Sequence, residues 1–132
     1  MKLLLQALLV SLLPLSLAYG EMSLEELENR VKQSETKEEY VKWMQIAMNE
    51  MIRKSGHSGE ELRVEIKIKG SLVTTTYKGE LLKDEGYRSQ MFNQSSSSAE
   101  STYDATAYSL GIRFMSAYLE DGTLLGSSVI TN

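Results

Sequence analysis

Three methionines at helical spacing precede the only histidine of the chain. Met44, Met48 and Met51 recur every three or four residues, and Trp43 and His57 lie close to them in sequence. Thioethers and an imidazole are ligands of soft ions such as Cu(I). However, Met44 and Met51 fall at the centre of an apolar helix stripe, where methionine ordinarily packs in a core, and no second methionine cluster exists. We therefore interpret these methionines as core residues, and expect no metal site and no cofactor.

Catalytic motifs are weak in this sequence. The segment 56–59 (GHSG) lacks the Gly-x-Ser-x-Gly order of a nucleophile elbow, and it follows a predicted helix rather than a strand. His57 is most simply an exposed loop residue. The acid pairs at 84–85 and 120–121 fall in predicted turns, where carboxylates usually serve the turn itself. An inward-facing acid pair for hydrolysis depends on tertiary structure and stays open. The sequence favours a protein that is not an enzyme.

The first twenty residues have the three parts of a secretory signal peptide. Lys2 supplies a positive charge, residues 3–13 are largely apolar, and small residues follow. Cleavage after Gly20 is preferred to cleavage after Ala18, because polar sequence begins directly after Gly20. A membrane anchor is the competing interpretation, but the apolar stretch is shorter than the ~20 residues that span a bilayer.

The sequence therefore predicts a cleaved signal peptide at residues 1–20 and a single domain at residues 21–132. The mature chain of about 112 residues is long enough to bury a core, and it contains no cysteine. Small secreted eukaryotic domains are usually rich in disulfides, so this composition fits a bacterial periplasm. The net charge of −4, or −5 without Lys2, argues against a nucleic-acid binder. We expect an exported, periplasmic or secreted protein with no membrane span after cleavage.

Two capping boxes predict two helices in the first third of the domain. SLEE begins at Ser23 and TKEE begins at Thr36. In one continuous helix, the apolar residues of the two segments would lie on opposite sides, and one stripe would face water. We therefore expect a short helix at about 24–33 and a long helix at 37–54, with Gly56 just beyond its end.

Strand patterns dominate the rest of the chain. Residues 61–69 alternate between charged and apolar side chains, and Gly70 with Ser71 suits a two-residue type II′ turn. That turn pairs residue 68 with 73, 66 with 75 and 64 with 77. A third strand is predicted at 87–92, followed by a flexible Ser-rich loop at 93–101.

The chain is predicted to end in a long hairpin. Strands near 103–119 and 124–131 flank Asp121 and Gly122, a type I′ turn signal. The predicted fold is α+β: two N-terminal helices, short then long, followed by an antiparallel β-meander of about five strands packed on the long helix.

The final hairpin is apolar on both faces, so one face needs cover from the short helix, a second copy or a partner. With the Ser-rich loop, this favours a non-catalytic protein-interaction module, for example an inhibitor or immunity-type protein. Its expected partner is another envelope or secreted protein, or a second copy bound through the hairpin 103–131. The predicted partner-binding residues are Asn93, Gln94, Ser95, Ser96, Ser97, Ser98, Arg113 and Met115.

A small apolar-ligand binding protein is the alternative function, and a hydrolase is less favoured. A curved sheet around a helix can leave a pocket lined by aromatic side chains, although such side chains more often form a plain core. The predicted pocket residues are Tyr77, Tyr87, Tyr108, Phe114 and Tyr118.

Overall fold

The computed structural model describes residues 22–97 and 104–131, without the side chains of residues 94–97; the predicted signal peptide lies outside this part. The helices are α1 (Leu24–Lys32), α2 (Lys37–Lys54), α3 (Glu85–Ser97) and α4 (Asp104–Ser109), with a 3₁₀ turn at Glu80–Lys83. The strands are β1 (Arg63–Lys69), β2 (Leu72–Lys78), β3 (Phe114–Leu119) and β4 (Leu124–Val129). They form a four-stranded mixed sheet in the order β1-β2-β3-β4, so the fold is α+β.

Both predicted N-caps are formed by side-chain hydrogen bonds. The backbone N–H of Glu26 donates to Ser23 Oγ at 3.1 Å, and the Ser23 N–H donates to the Glu26 carboxylate at 3.3 Å, which completes a capping box. At α2, the Glu39 N–H donates to Thr36 Oγ1 at 3.1 Å, but the Glu39 carboxylate accepts from the N–H of Glu35. The second cap is therefore made by the predicted threonine, without the reciprocal bond.

The predicted β1–β2 register is confirmed. The structure pairs Ile68 with Val73, and the pairs 66–75 and 64–77 follow in step. Gly70 has a φ of +62°, the sign that the first position of a type II′ turn requires. The apolar residues of β1 face the helices, while its charged residues lie on the opposite face of the sheet.

The strand predicted at 87–92 is wrong, because this segment belongs to helix α3. Asp84 accepts a hydrogen bond from the Tyr87 N–H at 3.0 Å and so caps the helix. Tyr87 and Met91 are four residues apart, which places them on one helix face, and both belong to a core cluster. The predicted Ser-rich loop is also wrong for residues 93–97, which continue α3; residues 98–101 lie outside the described part.

The long strand predicted at 103–119 is replaced by helix α4 and the shorter strand β3. Between them the chain bends at Gly111, whose φ is +91°. Since α3 and α4 separate β2 from β3, the chain crosses over and β3 pairs with β2 in parallel. The predicted five-stranded antiparallel meander is therefore corrected to four strands with a parallel central pair.

The final hairpin is present, but its turn is not type I′. That turn needs positive φ at both central residues, whereas only glycines have positive φ in the described part of the chain. Gly122 has a φ of +92°, and the Leu119 N–H donates to the carbonyl of Thr123 at 2.8 Å. The turn is thus a three-residue loop, and the register slips between Ala117 and Tyr118.

The helices lie on one face of the sheet and build two core clusters against it. The first cluster contains Val31, Tyr40, Ile66, Val73, Ala107, Ile112 and Ile130. The second contains Leu62, Leu82, Met91, Leu119 and Leu125. Helix α2 packs against β1, and α3 packs against β4. The two helices therefore cover opposite edges of the sheet.

Candidate functional site

A cavity of about 600 Å³ opens between α2 and α3, above the middle of the sheet. Met44, Met48 and Ile52 of α2 form one wall, and Tyr87 and Met91 of α3 form the other. Its floor is formed by strand residues that include Thr75, Tyr77, Met115, Ala117, Gly126 and Ser128. Small-molecule sites usually measure roughly 300–1,000 Å³ and are mostly apolar with a few polar groups, so this cavity has the size and character of a ligand site.

Two amides fix α2 over the outer edge of β1. The Asn49 side chain donates to the carbonyl of Val64 at 3.0 Å and accepts from the Val64 N–H at 2.8 Å. Four residues earlier, Gln45 Oε1 accepts from the Ile66 N–H at 2.7 Å. Four helical residues rise about 6 Å and two strand residues about 6.7 Å, so the two amides match alternate residues of the strand. We call this pair the amide clamp.

Helix α3 is tied to the other edge of the sheet. Arg88 forms a salt bridge with Asp121 at 3.0 Å and lies near Thr123, both in the turn between β3 and β4. Because the amide clamp holds α2 at the β1 edge, the central strands stay uncovered between the two helices. The cavity is the result.

The cavity brings together methionines that are distant in sequence. Met44 and Met48 face Met115 of β3 and Met91 of α3 across it. Met51, predicted to be a core residue, is 50% exposed and lies outside the lining. At about 100° per residue, Met51 falls just outside the arc of about 80° that is covered by the α2 residues lining the cavity, which are Met44, Met48, Ile52 and Ser55. The core interpretation thus holds for Met44 and Met48, which pack against the first core cluster, but is wrong for Met51.

His57 and two tyrosines lie at one end of the cavity. His57 is half-buried rather than exposed as predicted, and its ring meets Tyr87 edge-on at 6.2 Å between centroids. Burial raises the pKa of Tyr77, and the neighbouring Tyr87 raises it further. Burial also raises the pKa of Tyr87. Both phenols therefore stay protonated at neutral pH and can donate a hydrogen bond.

The five predicted pocket aromatics are divided by the sheet. Tyr77 and Tyr87 line the cavity as predicted. Phe114 and Tyr118 alternate along β3 with inward-facing residues, so they lie on the opposite face. Tyr108 packs under the guanidinium of Arg113, whose Cζ is 3.6 Å from the ring centroid. Trp43 of the methionine segment also lies outside the lining, with the Arg30 guanidinium 5.2 Å from its ring centroid.

The predicted partner-binding residues do not form one surface in the described part of the chain. Asn93 is exposed on α3, and Met115 faces the cavity. Arg113 donates to the carbonyl of Tyr108 at 2.8 Å and braces the bend before β3. Residues 94–97 continue the α3 backbone, and Ser98 lies outside the described residues.

One carboxylate of each acid pair serves local structure, as predicted. Asp84 caps α3, and Asp121 accepts from the Thr123 N–H at 3.0 Å. Hydrogen bonds from Thr123, followed by those from Arg88, lower the pKa of Asp121 to about 2. Within residues 22–97 and 104–131, no three His, Asp or Glu residues are grouped so as to hold a metal ion. None of the helices in the same ranges is both long enough and apolar enough to cross a membrane.

The outer face of the last hairpin is exposed, which corrects the expectation that both of its faces are buried. Phe114, Leu124 and Val129 lie on this face, and Val129 is 64% exposed. Helix α1 packs against α2, and all three of these side chains are exposed. We call these three residues the hairpin patch.

The fold and the cavity define a two-layer α+β protein with a site of ligand size. No family model matches the chain, and no curated protein or solved structure is significantly similar to it. Its function must therefore be argued from the site.

Proposed function

We propose that this is a non-catalytic binding protein that takes a small apolar ligand into the cavity between α2 and α3. The observation that carries the proposal is the cavity itself, with its volume of about 600 Å³ and its walls of methionine and tyrosine. Methionine side chains are flexible and polarisable, so they can fit ligands of several shapes. Burying the apolar part of a ligand here supplies the binding free energy.

The polar groups of the lining set a second requirement on the ligand. Ser55, His57 and Tyr87 lie at the end of the cavity where α2 ends and α3 begins. Met44, Met48 and Met115 all pack against the first core cluster and form the apolar end. A ligand with an apolar body and one hydrogen-bonding end group would satisfy both ends.

Binding of a fluorescent apolar probe such as N-phenylnaphthylamine tests the proposal. Ala117 lies on the floor of the cavity, so Ala117→Phe should fill it and reduce probe binding at least about tenfold, a loss of about 1.4 kcal/mol. The matched control is Ala105→Phe, the same change at an exposed position of α4. Equal probe binding by the wild type and by a folded Ala117→Phe variant would contradict the proposal.

Export of the protein is also a proposal, supported by the signal-peptide pattern of residues 1–20. Expression of the full chain with a C-terminal tag in a bacterial host provides the test. Mass spectrometry of the periplasmic protein should give a chain that begins at Glu21. An uncleaved chain in the cytoplasm would contradict the prediction.

Protein interaction is the second candidate function, and we propose a second copy of this chain as the partner. The amide clamp covers the edge of β1, whereas β4 is the other edge of the sheet and carries Leu124 and Val129 of the hairpin patch. Exposed edge strands are usually protected by charges, but residues 122–132 carry none. Antiparallel pairing of β4 with its copy would continue the sheet and join the two hairpin patches.

Light scattering over a range of protein concentrations tests this second candidate. Val129→Lys should weaken dimerisation, because it places a charge on the exposed edge strand within the proposed interface. Met51→Lys is the matched control, since Met51 is also an exposed apolar residue but lies on α2. A wild-type protein that stays monomeric at submillimolar concentration would exclude the dimer.

A further inference from the structure

We propose that the cavity also binds Cu(I), through the thioether sulfurs of Met44, Met48 and Met115. This inference goes beyond apolar-ligand binding and rests on the methionines that three-dimensional packing brings together. The pattern of α2 alone suggested Met51 as a third ligand, but Met51 lies outside the cavity and is half exposed. Met115 of β3 takes its place.

The three methionines line the same cavity and pack against the same core cluster. Met44 and Met48 are one turn apart on α2, a rise of about 6 Å, and so lie on one helix face. Met115 is on the inward face of β3, between Val73 and Ser128 in the neighbouring strands. All three are half-buried, line the cavity and pack against the same core cluster. The unbranched methionine side chain can then bring its sulfur to a common ion.

The chemistry of the lining selects a soft monovalent ion. Thioethers are soft ligands that favour Cu(I), whereas Mg²⁺ and Ca²⁺ require oxygen ligands, most often carboxylates. None of the described residues that line the cavity is Asp or Glu. We therefore expect Cu(I) and its analogue Ag(I) to bind, and hard divalent ions not to bind.

Thioether coordination also makes a prediction about pH. A thioether carries no titratable proton, so protons do not compete with the metal at this site. Affinity for Cu(I) should consequently stay constant between about pH 5 and pH 8, the range in which an imidazole ligand would lose the metal. His57 packs against Tyr87, which belongs to the second cluster, whereas the three methionines pack against the first; we therefore place His57 outside the ligand set.

Competition with the Cu(I) chelator bathocuproine disulfonate, without oxygen and with a reductant, tests the site. The wild type should withdraw one Cu(I) per chain. Met115→Leu should weaken binding at least about tenfold, as should the pair Met44→Leu and Met48→Leu. Leucine conserves the volume of methionine, so the fold should be retained. Met51→Leu is the matched control and should leave the affinity unchanged.

X-ray absorption of the Cu(I)-loaded wild type provides a measurement that does not depend on the variants. It should show three sulfur neighbours and no imidazole nitrogen. The proposal would be overturned if the protein withdrew no Cu(I) from the chelator, or if X-ray absorption showed a nitrogen neighbour of the ion. It would also be overturned by an affinity for Cu(I) that decreases at pH values below about 6, or by a Met51→Leu variant that loses as much affinity as Met115→Leu. Probe binding by the metal-free protein is measured separately, so a failure here is distinguishable from a failure of the apolar-ligand proposal.

Discussion

Replacing Asn49 with alanine should remove most of the amide clamp that holds α2 on the sheet. The side chain makes two hydrogen bonds to Val64, whose backbone has no other described partner on that side of β1. Val64 is buried, so its N–H and carbonyl would both be left unsatisfied. Each unsatisfied buried group costs about 1–3 kcal/mol, and alanine returns a few tenths through its higher helix propensity. We therefore expect a loss of roughly 2–5 kcal/mol.

Gln45, the other residue of the amide clamp, provides a comparison for the loss of stability expected at Asn49. Gln45 makes a single bond, to the Ile66 N–H, so Gln45→Ala should cost about 1–3 kcal/mol, half of the Asn49 effect. Asn29 lies exposed on α1, and Asn29→Ala should leave the free energy of unfolding within about 0.5 kcal/mol of the wild-type value.

Urea unfolding followed by circular dichroism measures these free energies. The midpoint should fall for both clamp variants while the slope stays constant, because the surface exposed on unfolding is unchanged. A loss for Asn49→Ala no larger than that for Gln45→Ala would refute the argument from the number of hydrogen bonds. The argument would also be refuted if Asn49→Ala and Asn29→Ala had the same free energy of unfolding.

Three further predictions follow from single positions. Gly79 has a φ of +134°, and a Cβ there would overlap the backbone carbonyl of Glu61, so Gly79→Ala should cost more than about 2 kcal/mol in urea unfolding. Glu50 is 7% exposed and forms a salt bridge with Arg53 at 2.6 Å, and the hydrogen bond from Arg53 lowers the pKa of Glu50. The contribution of the ionised Glu50 to the free energy of unfolding is therefore complete above the unfolded pKa of 4.5. It disappears as the pH falls through the lowered pKa. Glu50→Gln should therefore reduce the free energy of unfolding at pH 7 and change it less in acid, and an equal loss at both pH values would contradict this. Asp121 has a pKa of about 2, against an ordinary value of 3.8, so its contribution to the free energy of unfolding is present above pH 3.8 and is lost toward pH 2. Asp121→Asn should therefore make the free energy of unfolding depend less on pH between these two values.

Short-range chemistry explains the parts of the fold that could be predicted. A cap depends on residues three apart, and both predicted caps are present. The β1–β2 register depends on one two-residue turn and on alternation within seven residues on each side. In both cases the interacting groups are neighbours along the chain, so the pattern contains all of the interaction.

Long-range packing explains the parts that could not be predicted. The segment Tyr87–Phe92 has apolar residues that fit either a strand or one face of a helix; the structure shows a helix that is capped by Asp84 and packs against β4. The parallel pairing of β2 with β3 follows from the crossover through α3 and α4. This parallel pairing is not visible in a short window of sequence.

The sequence by itself determined where α1 and α2 begin, and the first hairpin with its register, because each depends on neighbouring residues. The tertiary structure alone decided that α2 and α3 cover opposite edges of the sheet and leave a cavity over its centre. It also decided which methionines lie together, since Met115 joins Met44 and Met48 across about seventy residues of chain while Met51 is left outside. The physical reason is the amide clamp: two hydrogen-bonding side chains set the position of α2, and that position decides which of its residues reach the site.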